Sequence, residues 1–210
     1  MANAESAELR ADAARNRDAL LEAATRTFSA SATEPSMRAI AREAGVGIAT
    51  LYRHFPTRES LVDAVYHDQV QRLTQGADAL LRQVPPVEAL RAWMDLFGDW
   101  LSTKHGMIDT LRTMIDSGEI AQTETRDELL AAITRILDSG SAAGDLRSDV
   151  TADDIAASLI GTFTVTSGRR EQAGRLLDLL VDGLRPRNDV PRTTPEPYPR
   201  TGSDAAGAQR

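Results

Sequence analysis

Residues 36–61 run SMRAIAREAGVGIATLYRHFPTRESL, and their spacing decides the fold. Ser36 is a good N-cap, because its hydroxyl oxygen can accept from a free amide in a helix's first turn. The segment that follows sets Met37, Ile40, Ala41 and Ala44 on one face. Gly45 ends that helix, since glycine takes the left-handed backbone conformation at little cost. Beyond the turn Ala44–Gly47 a second short helix is expected from about Ile48 to His54. Pro56 stops it, and Thr57 can cap a long helix from Arg58 to about Arg82. Short helix, tight glycine turn, short helix is the helix-turn-helix plan.

The helix over 48–54 has two unlike sides. Leu51 and Phe55, at i and i+4, can bury against Leu20, Phe28, Ile40 and Leu61. That leaves Ala49, Thr50 and Arg53 on the opposite side, with Tyr52 and His54 on the flanks. Small residues at its start let such a helix approach the floor of a DNA major groove. Tyr and His can hydrogen-bond the bordering phosphates while Arg or Thr reaches base edges. Arg58, at the next helix's start, sits beside free backbone N–H groups and is expected to seat a phosphate. Ser36 offers similar chemistry at the preceding helix, and Arg38 could reach a base edge. For any one of these residues a solvated surface position is the plainer account; the ordered set outweighs it.

Composition sets the wider bounds. The chain has 210 residues, 41% apolar and 26% charged, enough for one large domain or two small ones. Ala and Leu are abundant and aromatics few, which favours helices. The absence of Cys excludes disulfides, thiolate nucleophiles and Cys-ligated zinc. The net charge of −7 argues at first against a nucleic-acid partner, but its distribution matters more. Between Ser36 and Arg58 the charges are Arg38, Arg42, Arg53 and Arg58 against Glu43 alone. The N-terminus lacks the apolar core of a signal peptide, and IAASLIGTFTV from Ile155 is too short to span a bilayer. A soluble, cytoplasmic protein with no membrane partner is expected.

Residues 1–13 are polar and Ala-rich and are expected to fray as a tail. Residues 14–60 form the helix-turn-helix domain, beginning with a helix whose Leu20, Ala24 and Phe28 share one face. Residues 61–185 form a second helical domain. Beyond Pro85-Pro86 it should contain helices near 87–103, 107–116, 123–139, 152–166 and 170–184. About nine helices result, with no strand pattern and no internal repeat. Residues 186–210 hold five of the nine prolines and little apolar content, and are expected to be disordered.

SMRAIAREAGVGIATLYRHFPTRESLVDAV resembles the DNA-binding region of the TetR family of bacterial transcriptional regulators. The likeness covers about 45 residues, from the first helix through the start of the fourth. The family's motif positions fall on Ser36, Arg38, Gly47, Ile48, Ala49, Thr50, Tyr52, Arg53, His54 and Arg58. Arg58 stands where the family more often has Lys, which keeps the charge but changes the hydrogen-bond geometry. GDLRSDVTADDIAASLIGTF and LLDLLVDGLRP also look like C-terminal halves of this family. The resemblance implies an all-α fold, three N-terminal helices for double-stranded DNA and a C-terminal domain that dimerises and usually binds a small molecule.

In that second half Leu90, Trp93, Phe97 and Trp100 fall on one face, with Met94, Met107, Met114 and Phe163 as possible neighbours. They are either plain core or the lining of a ligand cavity, and the resemblance raises the second account for the group. Ala156, Ala157, Ile160 and Gly161 on one helix, and Leu176, Leu177, Leu180 and Val181 on the next, have small or aliphatic faces. Such faces either pair across a two-fold axis, as in the family, or pack within one chain. The expectation is a dimeric regulator, foremost a repressor released from a palindromic operator by an unknown small molecule. An activator or a corepressor-dependent regulator of the same fold is the alternative. An enzyme is disfavoured. His54, His67 and His105 match no metal-ligand spacing, and no phosphate loop or nucleophile elbow occurs. No cofactor or metal is expected.

Overall fold

The computed structural model describes residues 2–31, 33–120, 122–166 and 168–186, the side chains of 2–13 and 122 excepted. Among the described residues there are nine α-helices and no strand. They are α1 (Ala2–Ala30), α2 (Met37–Glu43), α3 (Ile48–His54), α4 (Arg58–Leu81), α5 (Pro86–Gly106), α6 (Ile108–Asp116), α7 (Gln122–Ala143), α8 (Ala152–Thr166) and α9 (Arg170–Gly183). The first helix reaches back to Ala2, so the tail expected over 1–13 is helical from its second residue. Its high Ala content and its freedom from Gly and Pro favour that continuation. The segment 187–210, expected to be disordered, lies outside the described residues.

Helix ends follow local chemistry. Ser36 caps α2, its Oγ accepting from the Ala39 N–H at 3.2 Å. Thr57 and Ser60 cap α4 reciprocally, each side chain bonded to the other's backbone N–H. Pro86 occupies the first turn of α5, where its missing N–H costs nothing.

α5 is the central helix. It packs on α1, α4, α7 and α9, while α4 packs on α7 and α8 on both α7 and α9. One continuous core joins Leu20, Phe28, Ile40, Leu51 and Leu61 at the N-terminal end to Trp93, Leu111, Ile133 and Leu159 in the rest. Arg91 ties α5 to α9 through Asp178 at 2.6 Å, and Arg135 ties α7 to α4 through Asp78 at 2.9 Å. These exposed or half-exposed pairs add little beside the apolar burial. No described helix is long and apolar enough to cross a membrane.

Candidate nucleic-acid interface

The α2–α3 turn fixes how α3 leaves α2. Gly45 has φ +69°, and two hydrogen bonds close the turn, Gly45 N–H to Arg42 O and Val46 N–H to Ala41 O, at 3.1 and 3.0 Å. This pairing is a Schellman motif, and it needs the left-handed residue that Gly supplies. α3 is then anchored from below by Leu51 and Phe55, both buried. The Arg17 guanidinium lies 5.6 Å from the centre of the Phe55 ring and braces it from α1.

Above that anchor the polar residues face outward. Gly47, Ala49, Tyr52 and Arg53 are exposed; Ile48, Thr50 and His54 are half-buried. Tyr52 is 47% exposed, a large fraction for an aromatic ring on a helix one face of which is core. Ser36 and Arg38 are exposed on the neighbouring α2, as is Arg42. The sole acidic group of the stretch, Glu43, is paired with Arg26 of α1 at 3.3 Å. α3 has no side-chain cap on its first N–H groups. The result is a compact surface of donors and cations on a rigid mount.

Arg58 departs from its expected place. Its guanidinium turns inward, with Nε 2.9 Å and Nη2 2.8 Å from Glu34 Oε2, and Nη1 donating to Pro35 O at 2.7 Å. Nε also lies 3.2 Å from Thr110 Oγ1. Glu34 in turn accepts from the Thr110 N–H at 2.8 Å and hydroxyl at 2.9 Å. Arg58 therefore binds the α1–α2 loop to α4 and α6 and does not present its charge to a phosphate. Glu34 and Thr110 were not legible as functional residues: they lie 24 and 52 positions from Arg58 and match no local motif.

Comparison with known proteins agrees with this geometry. Residues 20–65 match the family described as bacterial regulatory proteins, tetR family, and residues 85–186 match the SbtR-like transcriptional regulator C-terminal domain. The TetR transcriptional regulator SCO0520 from Streptomyces coelicolor is 45% identical, over 81% of this chain and 98% of that one, with a TM-score of 0.74. The TetR transcription regulatory protein from Mycobacterium vanbaalenii is 37% identical, over 84% and 99%, with a TM-score of 0.67. The chain belongs to the TetR family. It is a DNA-binding transcriptional regulator and not an enzyme.

Within this TetR-family fold the aromatic stripe is core. Trp93, Met94, Phe97, Trp100, Met107 and Met114 are all buried, and the Trp93 Nε1 donates to Leu73 O of α4 at 2.9 Å. None of the six lines the cleft between α1, α5, α8 and α9. That cleft, about 570 Å³, is lined by Ser29, Asp95, Asp99, His105, Arg169 and Arg170 among others. Of the seven candidates only Phe163 reaches it. The Phe163 ring presses on α5 at Gly98, where a Cβ would come within 2.5 Å of it.

The α8–α9 candidates divide. Leu177 and Val181 are buried within the chain, so they belong to the core and not to an open face. Ala157, Ile160 and Gly161 are exposed, while Ala156, Leu176 and Leu180 are half-buried. Two residues absent from the expected set, Val165 and Leu179, are 63% and 67% exposed, beside Ile160 at 54%. Spacing alone put Leu177 and Val181 with Leu180. The structure shows that α9 turns them toward the core and leaves Leu179 outside.

Proposed function

We propose that this TetR-family regulator is a cytoplasmic homodimeric repressor, bound to a pseudo-palindromic operator and released from it by a small molecule. Residues 14–60 serve as the DNA-binding domain and 61–185 as the effector-binding and dimerisation domain. The observation that carries the reading is the outward polar face of α3, with Tyr52 and Arg53 exposed over the buried Leu51 and Phe55. Arg53 and Thr50 approach base edges, while Tyr52, His54 and Ser36 hold the flanking phosphates. Arg38 on α2 extends the same surface.

Support for a dimer comes from the apolar residues that α8 and α9 leave exposed, Ile160, Val165 and Leu179, with the small Ala157 and Gly161 also exposed on α8. A two-fold pair would set two α3 helices about 34–36 Å apart, the repeat of the major groove. Support for control by a ligand comes from the Glu34–Arg58–Thr110 joint, which bonds the mount of α2 and α3 to α6. A ligand that favours another position of α6 weakens DNA binding by its coupling free energy, typically about 1–3 kcal/mol.

The test is capture of genomic fragments by the purified protein, with the Tyr52→Phe/Arg53→Ala double variant as control. Enrichment of a short inverted repeat by the wild type alone is the expected result. Equal enrichment by both proteins would refute the assignment of the α3 face.

A further inference from the structure

The cleft between α1, α5, α8 and α9, about 570 Å³, has the size of a small-molecule site. Ser29 and Ser31 line it from α1 and its end, and α5, α8 and α9 supply the rest. It lies beside the crossing of α1 over α5. The two helices touch there, because a Cβ on Gly106 would collide with the Phe28 carbonyl. The Ser29 and Thr103 hydroxyls, 2.7 Å apart, bond across the same contact.

The wall formed by α1 and α5 presents acceptors. Ser31 Oγ donates to Thr27 O at 2.7 Å, and Ser102 Oγ donates to Gly98 O at 3.0 Å. With its one proton spent on a helix carbonyl, each hydroxyl keeps lone pairs for a ligand. His105 repeats the pattern. Its Nδ1 lies 2.9 Å from Leu101 O, which can only accept, so in the neutral ring Nε2 is left as an acceptor. The cations of the opposite wall are engaged. Arg169 donates from Nε to Thr166 O at 3.1 Å and from Nη2 to Val165 O at 2.7 Å, at the C-terminal end of α8. Arg170 Nη2 lies 3.6 Å from Asp99 Oδ1, and Asp95 is paired with Arg91 at 2.7 Å. The two Asp and two Arg of the lining cancel in charge. Leu101, Phe163 and Leu177 supply its apolar part.

We propose that this cleft is the effector site, that its ligand is an uncharged molecule bearing hydroxyl or amide N–H donors on an apolar body, and that it acts on DNA binding through α1. Acceptors along one wall select donors, and charges that are paired and balanced leave no net field to draw an ion. An occupant held against Ser31 and Ser102 bears on the end of α1. That helix ends at Ala30 and leads into the loop that carries Glu34, so movement there also loads the Glu34–Arg58–Thr110 joint. The inference rests on the reading of the protein as an effector-controlled regulator.

The chain has no Cys, so one introduced thiol is the sole thiol open to an iodoacetyl reagent. Ser102→Cys and Gly174→Cys place it on opposite walls of the cleft, and a Cβ at Gly174 meets nothing nearer than Arg91 Nη2 at 3.8 Å. Thr134→Cys, at an exposed position of α7, is the control. Iodoacetanilide fills the cleft with an amide N–H and a phenyl ring. Operator binding by both cleft adducts should fall about tenfold or more, as allosteric coupling allows, with Tm unchanged or raised, while the control adduct binds as before. Cleft adducts that bind the operator as tightly as the unlabelled variants, or that lose it only with a lowered Tm, would overturn control from this cleft. Ligand class is read without DNA, from iodoacetamide and iodoacetate, which leave an amide and a carboxylate of equal size. The amide adduct should melt above the carboxylate adduct at both cleft positions. Equal melting, or the reverse order, would overturn the uncharged donor. Gly174→Cys decides alone if Ser102→Cys does not fold. If the wild type captures no operator, the repressor reading fails, and the melting order still scores the cleft.

Discussion

Arg53 and Tyr52 stand side by side on α3, both exposed, yet they should fail differently when changed. If Arg53 contacts a base, Arg53→Ala costs about 1–3 kcal/mol of binding to the operator and little on unrelated DNA. If Tyr52 contacts a phosphate, Tyr52→Phe removes only that hydroxyl's bond and should weaken binding to all sequences alike. Parallel titrations against operator and scrambled duplexes separate the two outcomes. Gly45 acts through the fold and not through contact. At φ +69° any side chain is strained, and Gly45→Ala should cost about 1 kcal/mol, lowering Tm by roughly 2–4 °C. Open space surrounds the missing Cβ, so the loss comes from backbone strain, without a clash. Thermal melts followed by circular dichroism would show it.

At the scale of elements, the joint between the α1–α2 loop, α4 and α6 has a pH signature. Burial pushes the Glu34 carboxyl up, but the Thr110 amide and hydroxyl and the Arg58 guanidinium outweigh it and hold the pKa below its ordinary value. A carboxylate depressed in the folded state adds stability above its unfolded value, and that stability is lost as pH falls through the folded value. Glu34→Gln should therefore melt below the wild type at neutral pH. The two melting curves should converge only below pH 4.5, the ordinary value for this group. A gap in Tm that stays constant down to pH 3 would mean that the joint is not electrostatic. The sequence announced α2, α3 and their turn because Ser36, Gly45 and Thr57 act on neighbours within a few residues. Arg58 misled because its partners come from a loop and from α6, far along the chain. Leu177 and Val181 misled for a related reason: periodicity shows that a helix has an apolar side, not whether a second chain or the same one covers it.

For the whole molecule, the account requires two copies. Ile160 and Leu179 are exposed in the single chain, so Ile160→Glu with Leu179→Glu should leave the fold of each chain intact while lowering Tm by the stability that the dimer contributes. The double variant should sediment as a monomer and bind a half-site and a full inverted repeat with similar affinity. A monomeric wild type in sedimentation would remove the two-fold arrangement. The central claim remains that the exposed face of α3 distinguishes one DNA sequence from others. Its most direct measurement is the ratio of affinities for the captured inverted repeat and for scrambled DNA, at one moderate salt concentration, for the wild type and for Arg53→Ala. The account predicts a large ratio for the wild type that collapses about tenfold or more in the variant, with binding to scrambled DNA little changed. An unchanged ratio would contradict it, and would mean that another surface of the protein selects the operator.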